Sequence, residues 1–301
     1  MRIKPRTKAL VFSFFFLLGL LILIEAGFQL AGWLFARGRA RPTNPQTKVI
    51  VCLGDSHTYG VFVNEEEAYP SQLEQILNRS GKKYQVVNLG APGQNSTQIL
   101  KALPQIIEKY HPEIILLLVG VNNGWNIAGQ EQSFWEKLAG HFKLYKFFRL
   151  IYFHYFKKER SFMVTKRRDS GELLLHKERK EAPSSKIEIL RIEKRFFEDL
   201  LEIIKFSRQQ GVRIVLLNYP GDKETNYLIP NHLLKKAGAK TEAVFIDLYS
   251  YFLHLLYDEK GTLNQKLHSQ LFFPDMHLRP QGYYLMAERI FQVLEEKGLF
   301  D

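Results

Sequence analysis

Four short polar segments carry residue types that catalysis uses: Gly54-Asp55-Ser56-His57, Asn88-Leu89-Gly90-Ala91-Pro92-Gly93, Gly120-Val121-Asn122-Asn123 and Asp275-Met276-His277. Ester hydrolysis through a serine needs a hydroxyl, a base to take its proton, donors for the developing oxyanion and a group that orients the base. Ser56 offers the hydroxyl and His277 the imidazole. The backbone N–H groups of Ser56 and Gly93 and the side-chain amide of Asn122 offer the donors. Asp55, in a tight turn, is expected to brace the loop through backbone N–H groups and not to act chemically. His57 is a rival base, but a side chain next to Ser56 at a turn-to-helix start is expected to point away. Asn88 and Gly90 read as turn formers. The other seven histidines show no metal-ligand spacing, and no phosphate-loop, zinc-ligand or dinucleotide fingerprint is present.

Bringing these distant segments together is the task of the elements between them. Val49 to Leu53 is uncharged and mostly β-branched, the pattern of a strand buried on both faces, and it stops at Gly54. Helical spacing follows in Tyr69 to Arg79, a second strand in Tyr84 to Leu89, another helix in Ser96 to Tyr110 and a third strand in Glu113 to Val119. After an interruption the alternation resumes with a helix over Ile187 to Gln210, strands at Val212 to Asn218 and Ala243 to Leu248, and a helix entered at Pro280. Five such strands predict a doubly wound parallel sheet, whose post-strand loops converge on one edge.

The 301-residue chain is 46% hydrophobic, ample for a sizeable core. Residues 1–8 form a basic arm. Residues 9–36 are apolar apart from Glu25 and a few polar side chains, long enough to cross a bilayer with Glu25, Gln29 and Trp33 near one interface. An uncleaved anchor fits this length better than a signal peptide, whose apolar region is shorter. Basic residues on the two sides of the span balance, so charge alone does not orient it. Residues 37–48 read as a linker and 49–301 as one domain with an insertion at about 125–185. Within that insertion Lys143 to Lys158 interleaves basic and aromatic residues, as a helix packed on the body, an interfacial helix or a lid; Glu159 to Ser185 is charged and is expected to be mobile.

The net charge of +11 is concentrated in these two regions. Residues 1–48 hold eight basic residues against Glu25 alone, and 137–180 hold thirteen against four acidic ones, leaving the remaining body acidic. That distribution suits an anionic membrane surface and argues against nucleic acid as a partner. The single cysteine, Cys52, excludes an intrachain disulfide and lies inside the first strand.

The segments GDSHTYG, VVNLGAPGQNS, VGVNN and DMHLRPQGYYLMAE, in that order, resemble the four blocks of the SGNH (GDSL-type) hydrolase superfamily. The resemblance implies a flavodoxin-like three-layer α/β/α fold, no metal or organic cofactor, and ester hydrolysis or acyl transfer on an acylated small-molecule, lipid or glycan substrate. By position it makes Ser56 the nucleophile, His277 the general base, and Ser56, Gly93 and Asn122 the oxyanion donors. It also implies, with the single anchor, a body outside the cytoplasm. Two positions depart from the family pattern. Pro274 stands where the orienting aspartate usually lies three residues before the histidine, so either Asp275 or a backbone carbonyl orients His277; and Asn123 replaces an aspartate in the third block. An O-acyltransferase of cell-envelope glycans and a catalytically silent binding domain are the other readings.

Overall fold

In a computed structural model the chain is described over residues 5–38, 47–126, 138–139, 141–151, 165–166, 183–223 and 225–300. Helix α1 (Pro5–Gly38) precedes the body. Its stretch Val11–Ala31 is long and apolar enough to cross a membrane, and none of it is buried. The expected linker falls mostly outside the described residues, as does most of the insertion.

The body is a five-stranded sheet of β1 (Lys48–Gly54), β2 (Tyr84–Asn88), β3 (Ile114–Leu118), β4 (Arg213–Leu217) and β5 (Val244–Ile246), in the order β2-β1-β3-β4-β5. Every neighbouring pair is parallel. Cys52 lies opposite Asn88 on one side and Leu116 on the other, so β1 is central and its apolar run is buried on both faces. The buried Cys52 thiol is pushed well above its ordinary pKa by that burial and is inert.

Helices cover both faces. On one, α3 (Tyr69–Arg79) packs against α10 (Pro280–Glu296); on the other, α4 (Ser96–Tyr110), α6 (Pro183–Gln209) and α7 (Leu228–Thr241) pack in a row. Short helices α8 (Leu248–Leu256) and α9 (Gln265–Leu271) lead back to α10. Helix α5 (Lys143–Ile151) packs against α1, and a two-residue antiparallel ladder joins Thr165 and Lys166 to Asn226 and Thr225. The strand order reverses between β1 and β3, which opens a crevice at their carboxyl ends.

Helices α7, α8 and α9 have no counterpart in the periodicity reading. Helix α7 contains Pro230 and Gly238, both helix breakers in isolation. Tertiary packing accounts for the glycine, because a Cβ on Gly238 would meet the Phe245 Cβ at 3.1 Å.

Gly54 sets how β1 delivers its chain to the crevice. A Cβ there would lie 2.2 Å from the Thr58 Oγ1 and 2.3 Å from the Leu118 carbonyl oxygen, so only glycine fits between the turn and β3. Gly54→Ala is therefore expected to destabilise the fold by about 3 kcal/mol, the upper part of the range for overpacked sites, read as a lowered urea midpoint in detergent-solubilised protein.

Candidate active site

The turn after β1 enters α2 (Ser56–Tyr59), a single helical turn capped by Asp55, whose Oδ1 accepts the His57 N–H at 3.0 Å. As the first residue of α2, Ser56 has an N–H with no intrahelical acceptor. Its hydroxyl lies 2.9 Å from the His277 Nε2. The opposite ring nitrogen, Nδ1, lies 2.9 Å from the Asp275 Oδ2. A carboxylate can only accept, so it places the proton on Nδ1 and leaves Nε2 to accept from Ser56.

The two-residue spacing works because Met276 takes a left-handed backbone, φ 71°, uncommon for a bulky residue. The turn lets the Asp275 carboxylate also accept the His277 backbone N–H at 3.2 Å. Phe273 and His277 are tied by a 2.8 Å backbone bond, and the bridge between Phe272 and Leu278 closes the loop. The Asp275 side chain is 48% exposed. Burial raises its pKa, but the hydrogen bond and charge of His277 outweigh that and hold it below the ordinary carboxylate value.

The side of the crevice facing Ser56, where the oxyanion donors are expected, is built from the loops after β2 and β3. The Trp125 indole, which can only donate, gives its Nε1 hydrogen to the Asn122 Oδ1 at 2.9 Å and so fixes which end of the amide is nitrogen. One Asn122 amide hydrogen goes to the Gln94 carbonyl at 3.1 Å, and the second has no acceptor among the described residues. Gly93 adopts φ 78° beneath the Trp125 ring. Asn126 donates to the Gly93 carbonyl at 2.6 Å, which laces the two loops together.

A model of the GDSL-like lipase/acylhydrolase family matches residues 52–285, most of the body and all four segments. The chain belongs to that family. Among curated proteins, an arylesterase of Vibrio mimicus is 31% identical over 75 residues, which is 25% of this chain and 38% of that one. Among solved structures, the acetyl xylan esterase AlAXEase covers 82% of this chain and 99% of its own, at 15% identity and a TM-score of 0.50. The acetylxylan esterase Axe2 of Geobacillus stearothermophilus covers 81% and 93%, at 14% identity and a TM-score of 0.50. At such identity the likeness is one of fold.

The family resemblance leaves Asn123 unexplained, and the structure supplies a reason. Its Oδ1 accepts the Ser96 N–H at 3.2 Å and its Nδ2 donates to the Ser96 Oγ at 2.6 Å. That hydroxyl gives its own proton to the Asp199 Oδ2 at 2.7 Å, as Thr97 does at 2.5 Å, and Arg195 pairs with the Asp199 Oδ1 at 3.0 Å. An aspartate at 123 would turn a second acceptor toward a hydroxyl whose only proton is committed. The carboxylate that supports this side comes instead from α6. Sequence reading passed over Asp199, although a charged residue among the inward-facing Phe196, Leu200 and Ile203 was a usable signal.

His57 differs from expectation. It does not point away: its ring is 2% exposed and stacks on His277, with centroids 4.3 Å apart and planes 12° apart. Burial first, then the charge of His277, hold its pKa well below the ordinary value, so it stays neutral. Its Nδ1 is buried without a hydrogen-bond partner among the described residues. The Phe62 ring, on a residue with φ 71° and 66% exposed, meets His277 edge-on at 5.6 Å. His277 is thus held between two rings.

Tyr219, after β4, was also missed; its hydroxyl donates to the Asp55 Oδ2 at 2.5 Å. Burial raises the Asp55 pKa to about 6, with Tyr219 and the His57 N–H opposing. A raised carboxylate pKa means the folded state binds the proton more tightly, so this contribution is complete below about pH 3.8 and is lost as pH rises through about 6. Relative to Asp55→Asn, the wild type is expected to lose about 3 kcal/mol of unfolding free energy from below pH 4 to pH 7, read from paired denaturation series across that range.

Proposed function

We propose that the protein is a membrane-anchored serine esterase that works through an acyl-enzyme on Ser56. The observation that carries this reading is the unbroken hydrogen-bonded line Ser56 Oγ, His277 Nε2, His277 Nδ1, Asp275 Oδ2, with 2.9 Å at each of its two steps between side chains. In the proposed reaction the Ser56 oxygen attacks an acyl carbonyl while the His277 Nε2 takes its proton. The Ser56 and Gly93 N–H groups and the free Asn122 amide hydrogen receive the negative oxygen of the tetrahedral intermediate. Collapse breaks the ester C–O bond, and the departing alcohol takes the proton back from Nε2. Water, deprotonated by the same nitrogen, then releases the acid and restores Ser56.

Asp275 orients His277 and stabilises the imidazolium that forms, and the rings of His57 and Phe62 share the orienting task. Membership of the GDSL-like family supports the esterase class. The bilayer-length stretch of α1 supports the anchor, and the single anchor with the family resemblance supports a body on the extracytoplasmic side. Transfer of the acyl group to a glycan hydroxyl shares the first half of this chemistry and is an outcome of the test below.

Ser56→Ala is expected to abolish labelling by a fluorophosphonate probe together with esterase activity. Labelling of Ser56→Ala equal to wild type, or none in the wild type, would rule against an acyl-enzyme on Ser56, in hydrolysis and transfer alike. Asp275→Asn is expected to lower kcat by roughly 100-fold, less than for a fully buried triad aspartate because water reaches this one. Product analysis with and without a sugar acceptor separates hydrolysis from transfer. A reporter fused at Asp301 should give a signal outside the cytoplasm.

A further inference from the structure

Glu25 is the one charged residue in the apolar run 9–36 before Arg37. An ionised carboxylate there is costly unless it is satisfied within the protein. Both of its oxygens are used. Oε1 accepts the Lys143 N–H at 2.9 Å and Oε2 accepts the Leu144 N–H at 2.8 Å, the first two residues of α5. The carboxylate therefore caps a helix whose N-terminal end carries partial positive charge. Three more contacts sit beside this cap. Gln29 donates to the His141 carbonyl at 3.0 Å, Lys143 Nζ donates to the Phe28 carbonyl at 3.0 Å, and the Phe28 and Phe147 rings lie 5.8 Å apart.

The depth of this junction matters. Glu25 lies six residues before the end of the Val11–Ala31 stretch, about 9 Å along a helix, which is the depth at which amphipathic helices rest in a bilayer. The aromatic side chains around α5 remain open: Phe142 is 47%, Phe147 45% and Phe148 58% exposed. They continue the exposed apolar surface of α1, and the sequence 143–158 is basic and holds no acidic residue, a charge pattern that suits anionic lipid.

We propose that α5 is a membrane-interface helix, latched to the anchor by the Glu25 cap and seated in an anionic phospholipid surface. This rests on the reading of α1 as a membrane anchor. The latch makes α5 part of the membrane attachment, and one hydrogen-bonded carboxylate in the span holds it there.

The test uses full-length protein in vesicles of phosphatidylcholine with phosphatidylglycerol. The only native thiol, Cys52, is buried, so single labels can be placed with an environment-sensitive fluorophore at Phe148→Cys and, as a control, at Leu17→Cys. Expected are quenching of the position-148 label by lipids spin-labelled near the headgroup, quenching of the position-17 label by lipids spin-labelled deep in the chain, and loss of the first but not the second in Glu25→Ala. A position-148 label that stays aqueous while position 17 is quenched overturns the interfacial helix and leaves the anchor standing. An unquenched position 17 overturns the anchor itself. Quenching at 148 that survives Glu25→Ala, or that is equally strong in phosphatidylcholine alone, overturns the latch or the anionic surface respectively.

Discussion

A carboxylate removed from water is tolerated only when its oxygens are hydrogen-bonded, and Asp55 meets that condition with donors from two separate parts of the chain. One is the His57 N–H within its own turn and the other is the Tyr219 hydroxyl beyond β4. Because Ser56 lies between Asp55 and His57, both donors act on the backbone that carries it. Gly54, closed in by Thr58 and β3, leaves that turn no room to shift. The position of the hydroxyl is therefore set by buried polar pairing and steric fit together.

The opposite side of the site repeats the device with a different carboxylate. Asp199, brought in by α6, accepts from Ser96 and Thr97, and Ser96 holds Asn123 next to Asn122. Asn122 is in turn fixed by Trp125 and Gln94. Two buried acids thus flank the crevice, one stabilising the hydroxyl turn and one the amide loop. Between them His277 has an exposed partner in Asp275, and the flat contact with neutral His57 limits the ring where the half-exposed carboxylate alone would not.

Much of this was legible. Uncharged runs flanked by glycine marked β1, β2 and β3 to within a residue or two, since a strand buried on both faces has no other pattern to show. Ser56, Gly93, Asn122, Asp275 and His277 stood out because turn chemistry and reactive side chains coincided in each segment. Tyr219 and Asp199 did not, for their roles come from partners 164 and 103 residues away. His57 was placed wrongly for a related reason. The direction of a side chain at a turn depends on the cavity it enters, and that cavity is lined by Tyr219, Tyr227 and His277 from other elements.

The amino-acid sequence by itself determined the alternation of strand and helix, the bilayer-length N-terminal run and the inventory of reactive groups, because these follow from local periodicity and residue type. Tertiary structure alone decided which groups meet. It gave His277 an aspartate two residues away through the left-handed Met276, gave Asn123 a serine whose proton is already committed, and gave Glu25 a helix end 118 residues distant to cap. Hydrogen-bond capacity and steric fit are properties of assembled surroundings, and no window of sequence contains them.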